Sequence, residues 1–145
     1  MPHLVILYSG NLDREIDMTA VCRGLADAML TVTDDDGKQV FPTGGTRVLA
    51  YPAPHFAIAD GGAAAVAAGE AGDYGFAYLN LRMGRGRSEA VQRRAGDTIA
   101  TAAKALFGPL LDKRRVGLTF QIDVGPEVYD AKFGNLHPLF QQGKN

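Results

Sequence analysis

Short apolar runs and helical apolar periodicities follow one another along this chain in the order β-α-β, and then do so a second time. His3 to Tyr8 is a continuous apolar run, the pattern of a short strand buried on both faces. Asp17 stands where a helix N-cap belongs. Behind it, Met18, Val21, Cys22, Leu25, Met29 and Val32 recur at offsets of three and four, which is one helix face. "TDDDGK" closes that helix with turn chemistry, and Thr46 to Tyr51 forms a second strand stopped by "PAP". The second round opens with a strand over Tyr74 to Met83. Ser88 then caps a helix whose buried face is marked by Val91, Ala95, Ile99, Ala102 and Leu106. Arg115 to Asp123 alternates Val116, Leu118, Phe120 and Ile122 inward as a fourth strand.

Crossover connections between parallel strands keep one hand, so each β-α-β unit lays its helix on the same side of its strand pair. Two units side by side predict an α+β fold: duplicated β-α-β units forming a four-stranded sheet with two helices on one face. The pseudo-repeats span about 2–60 and 73–124, followed by a C-terminal tail, within a single domain over 1–145. The other sheet face has nothing in this chain to cover it, and an apolar patch of that size marks an oligomerisation surface. "DGGAAAVAAGEAGD" (60–73) has little to bury and reads as a surface loop or a weak extra helix. "FGNLHPLF" near the C-terminus is apolar enough to dock.

The bulk numbers exclude several function classes. With 46% apolar and 21% charged residues the chain has an ordinary globular composition. A net charge of −1 argues against a nucleic-acid surface that works by bulk charge. The single cysteine, Cys22, cannot form an intrachain disulfide and reads as a small core residue, and no Cys/His spacing suggests a metal site. No apolar run approaches the ~20 residues of a membrane span. No basic segment precedes an apolar one at the start, so the cytoplasm is the expected location.

The start of the chain, "MPH", raises the chemical question. At the first position of a strand proline costs no ladder hydrogen bond, so Pro2 reads plainly as a strand opener. If Met1 is removed, Pro2 becomes a secondary amine, a base on a rigid ring. Arg47 opens the second strand just after "FPTGG", while Arg85 and Arg87 lie in "RMGRGRS", where the third strand turns into a helix. Arginine suits carboxylates because its planar fork makes two parallel hydrogen bonds. The same arginines read more plainly as solvated side chains, and "GRGRSE" lacks the spacing of a phosphate loop. His3, on an apolar strand, and His137, in the docking tail, read as structural rather than catalytic.

Taken together, "MPH", "YSGNL", "FPTGGTR", "ADG", "DYGFAYLNLRMGRGRS", "AGD", "LTFQID" and "NLHPLF" resemble the 5-carboxymethyl-2-hydroxymuconate isomerase family of the tautomerase superfamily. The resemblance runs nearly end to end, interrupted mainly by the Ala/Gly-rich segment after Gly61. It implies an enzyme without cofactor that takes a proton from the 2-hydroxyl of a dienol and delivers one to a carbon further along, giving a conjugated 2-oxo acid. It implies that Pro2 is the catalytic base, and that Arg47 and Arg87 are catalytic and bind the carboxylates of a small-molecule substrate. It also implies a homotrimer, while the charge balance and the lack of a membrane-length apolar run leave neither nucleic acid nor membrane as an expected partner. Apolar burial and two nearby guanidiniums would favour the neutral, basic form of the proline amine. The alternatives are a tautomerase-superfamily enzyme for another 2-oxo or enol acid, and a catalytically inactive trimeric binding module. Aligning the halves puts Ala77 opposite Pro2 and Leu12 opposite Arg87, so one half would supply the base and the other the anion clamp.

Overall fold

The computed structural model describes residues 2–141. The apolar run at the start becomes β1 (His3–Ser9), an inner strand of a four-stranded sheet. It pairs in parallel with β2 (Arg47–Ala53) and antiparallel with β3 (Gly75–Met83), which pairs in parallel with β4 (Val116–Val124). The order is β2-β1-β3-β4, the two parallel pairs read from the pattern, joined back to back.

Among the described residues, three α-helices accompany the sheet: α1 (Met18–Leu30), the five-residue α2 (Ala63–Ala67) and α3 (Glu89–Leu111). Both long helices start where a side chain satisfies an orphan amide. Asp17 accepts the Ala20 N–H at 3.1 Å, and Ser88 Oγ accepts the Val91 N–H at 3.2 Å. Between these helices and the sheet lies the core, with Leu4, Ile6, Leu25, Leu79, Leu81, Ile99 and Phe107 fully buried. Each such side chain contributes about 1.5–3 kcal/mol by leaving water.

Two expectations shift in detail. The buried stripe of α3 continues at a strict spacing of four through Ala103 and Phe107, then Leu110, instead of stepping to Ala102 and Leu106. Those two residues are only partly buried, and Leu106 faces the partner helix rather than the sheet. A Cβ on Gly24 of α1 would stand 3.0 Å from the Leu106 methyls. In addition, β2 runs through Pro52 to Ala53 instead of stopping at Tyr51. Since β2 is an edge strand of this sheet, a missing N–H on its outer side leaves the ladder intact. Cys22 is half-buried against the core, and burial pushes its thiol pKa up.

The sheet is uncovered by this chain on the face away from the helices. There His3, Val5 and Leu7 of β1 lie between Arg47, Leu49 and Tyr51 of β2 and Arg82, Asn80 and Tyr78 of β3. Leu7, Leu49 and Tyr51 keep 49%, 46% and 51% of their surface exposed. The Ala/Gly-rich segment is fixed at the Ser9 end of the sheet. Asp60 accepts the N–H groups of Gly62 (3.0 Å) and Ala64 (2.9 Å), which holds its carboxyl below the ordinary range. Glu70 makes a two-bond ion pair with Arg115 at 2.6 and 2.7 Å. Among the described residues, no helix is long and apolar enough to cross a membrane.

Candidate active site

The strand directions decide which sequence features meet. β1 and β2 run parallel and β3 runs against them, so the starts of β1 and β2 share one end of the sheet with the ends of β3 and β4. Pro2 precedes β1 at that end and is buried. The register pairs His3 with Arg47, so the arginine that opens β2 stands one strand away from the residue after Pro2. Arg47 projects from the open face, where its Nη1 donates to the Gly45 carbonyl at 3.2 Å.

Arg87 reaches the same end from the turn between β3 and α3. Gly86 there adopts φ 105°, a conformation that glycine takes without strain. The guanidinium is held in place on three sides. Nη2 donates to the Val40 carbonyl at 3.0 Å, Nη1 donates to the Gly84 carbonyl at 3.3 Å, and the group lies over the Phe41 ring at 5.6 Å. These bonds use part of its five-donor fork and fix the direction of the rest. Arg85, on the same turn, is exposed.

A cleft of about 800 Å³ opens at this end of the sheet. His3, Pro42, Gly44 and Arg47 form one wall, and the C-terminal tail forms the other through Glu127, Lys132, Phe133 and His137. Of the three site residues read from the sequence, Arg47 lines the cleft, Pro2 adjoins it through His3, and Arg87 lies outside the lining, anchored on Val40 and Phe41. The tail wall was not among the expected site residues; its only signal was the apolar "FGNLHPLF". After β4 the chain turns back, and the 3₁₀ turn His137–Phe140 packs on Gly44, whose missing side chain leaves the room. Lys132 donates to Asp130 at 2.6 Å, which holds that carboxyl below its ordinary value. The Ala/Gly-rich segment lies at the opposite end, the length of β1 away, about 20 Å. Within this chain it therefore does not shape the cleft. The removal of Met1 falls on a residue outside those described.

This geometry offers fixed cations around a partly apolar cleft beside the strand start, an arrangement suited to a small polycarboxylate. Comparison with known proteins gives the family. The 5-carboxymethyl-2-hydroxymuconate isomerase family matches residues 2–140. The chain belongs to the 5-carboxymethyl-2-hydroxymuconate isomerase family. It is 26% identical over 141 residues to the 5-carboxymethyl-2-hydroxymuconate Delta-isomerase of Escherichia coli, covering 97% of this chain and all of that one. A crystal structure of a 5-carboxymethyl-2-hydroxymuconate delta-isomerase superposes with a TM-score of 0.96 at 83% identity, covering all of this chain and 96% of the other. A fused 4-OT, an asymmetric trimer, superposes at a TM-score of 0.58 and 17% identity over 98% of this chain and 99% of its own. That last likeness shows the tautomerase fold alone. As a member of the 5-carboxymethyl-2-hydroxymuconate isomerase family, the chain is an enzyme of the isomerase class.

Proposed function

We propose that this isomerase acts on 5-carboxymethyl-2-hydroxymuconate, a tautomerase reaction in which Pro2, freed by removal of Met1, is the base. The 2-hydroxyl gives up its proton, the diene electrons shift, and a proton is returned to carbon at the far side of the diene. The product is a conjugated 2-oxo acid, and no atom is gained or lost. A single positioned base that accepts and returns the proton serves both half-steps. Arg47 grips a carboxylate and draws electron density toward the developing 2-oxo group, and Arg87 holds a second carboxylate.

The observation that carries this reading is the pairing of His3 with Arg47 behind a buried Pro2. A strand opener needs no cation beside it, whereas a base acting on a carboxylate substrate does. The working form is a homotrimer of single-domain chains in the cytoplasm, with Leu7, Leu49 and Tyr51 of the open sheet face turned toward neighbouring copies. Its support is the apolar exposure at Leu7, Leu49 and Tyr51 and the trimeric state of the fused 4-OT.

The test is to block the amine. Protein that retains Met1 or carries an N-terminal tag should isomerise 5-carboxymethyl-2-hydroxymuconate ~10²–10⁴-fold more slowly than processed protein, the usual worth of general acid–base catalysis. Pro2→Ala keeps a terminal amine and should be impaired but active. Equal rates for tagged and processed protein, with oligomeric state matched by light scattering, would reduce Pro2 to a strand opener.

A further inference from the structure

The proposed substrate carries three carboxylates, one at each end of the muconate chain and one on the carboxymethyl arm. Arg47 and Arg87 account for two. Arg87 already donates to two backbone carbonyls and stands outside the cleft lining. A third cation stands one strand away from the strand start. The antiparallel register of β1 and β3 pairs His3 with Arg82, so Arg47, His3 and Arg82 form one row across three strands at the Pro2 end of the sheet. All three point away from the helices, because Leu4, Val48 and Leu81, their neighbours in the chain, pack into or against the core. Adjacent strands lie ~4.8 Å apart, so the Cα atoms of Arg47 and Arg82 are about 10 Å apart. Two arginine side chains can close that gap onto a six-carbon chain lying over His3.

The charges around Arg82 are arranged to leave it available. It is exposed and forms no ion pair among the described residues. Its register neighbour on β4, Asp123, accepts instead from Asn80 Nδ2 at 2.8 Å. Asp130 is taken by Lys132 at 2.6 Å. The remaining carboxylate is that of Glu127, which lines the cleft. Arg82 Nη2 and Glu127 Oε1 each approach to 3.9 Å from the position a Cβ would take on Gly125, so the Arg82 guanidinium, itself outside the cleft lining, neighbours a carboxylate that belongs to it.

We propose that Arg82, with His3 beside it, binds the carboxymethyl carboxylate of the substrate and makes the enzyme select tricarboxylates over dicarboxylates. The proposal rests on the substrate reading above, so its test has one arm independent of turnover. The probes are two saturated, unreactive acids with the same six-carbon chain, 2-(carboxymethyl)adipate and adipate, titrated calorimetrically into processed wild-type protein. A charge-assisted hydrogen bond at a partly exposed site makes about a tenfold or larger difference in affinity.

The wild type should therefore bind the tricarboxylate at least about tenfold more tightly than adipate. Arg82→Met should erase that preference while leaving adipate binding unchanged, and Arg82→Lys should restore part of it. Glu127→Gln, which removes a competing negative charge, should tighten tricarboxylate binding. In turnover, Arg82→Met should raise KM for 5-carboxymethyl-2-hydroxymuconate with kcat little changed, and should leave 2-hydroxymuconate untouched. Equal binding of the two acids by wild type, or a preference that survives in Arg82→Met, overturns the proposal. If the preference follows Arg82 but wild type isomerises neither muconate, the subsite stands and the substrate reading falls.

Discussion

Replacing Gly44 with alanine tests the tail wall of the cleft most directly. The added Cβ would lie 2.7 Å from His137 Nδ1, 2.8 Å from His137 Cα and 3.0 Å from Phe140 Cδ2. One of these atoms belongs to the backbone, so rotating a side chain cannot relieve the overlap. Either the tail moves or the loop 42–46 does. If both were held, overpacking would cost about 1–3 kcal/mol. The two partners are unequally anchored. The loop follows Phe41, which is fully buried, whereas the turn His137–Phe140 has no buried residue and leaves Leu139 63% exposed. The tail should therefore yield.

Gly44 does not sit at positive φ, so alanine incurs no backbone strain there. It gains about 0.4–1 kcal/mol by restricting the unfolded chain. Global stability should stay within about 1 kcal/mol of wild type in urea denaturation. Hydrogen exchange over residues 135–141 should accelerate, and KM should rise several-fold while kcat changes less, because the cleft loses part of a wall. A stability loss of about 2–3 kcal/mol with unchanged exchange in the tail would refute this reasoning, since it would mean that the tail is the firmly held partner.

Phe107→Ala empties a fully buried site between α3 and the sheet and should cost about 3–5 kcal/mol by chemical denaturation. Asp17→Ala removes the acceptor for the Ala20 N–H and should cost about 1 kcal/mol with activity retained. Tyr8 is buried and donates to Asp13; burial first, and that bond second, push its pKa from 10.0 up to about 12. The folded state thus keeps a proton that the unfolded state releases, so the stabilisation is complete below pH 10 and is lost as pH rises from 10 through 12. Alkaline spectrophotometric titration should show a late tyrosine that Tyr8→Phe abolishes.

Element order, the helix caps and most of the core follow from the amino-acid sequence alone. Apolar spacing of two or of three and four is a local signal, and Asp17 and Ser88 act within three residues of themselves. It also supplied Pro2, Arg47 and Arg87 as candidates through family resemblance. Tertiary structure decided what depends on contacts distant along the chain. The antiparallel joining of β1 to β3 brings Arg82 into a row with His3 and Arg47, and no local pattern encodes a register between residues 79 apart. Helix–helix contact at Gly24 turned Leu106 away from the sheet, and edge position allowed β2 to run through Pro52. The tail became a wall of the cleft because β4 ends at the same end of the sheet as Pro2 and Gly44 leaves room for His137. That fit belongs to two segments more than ninety residues apart, so only the folded chain reveals it.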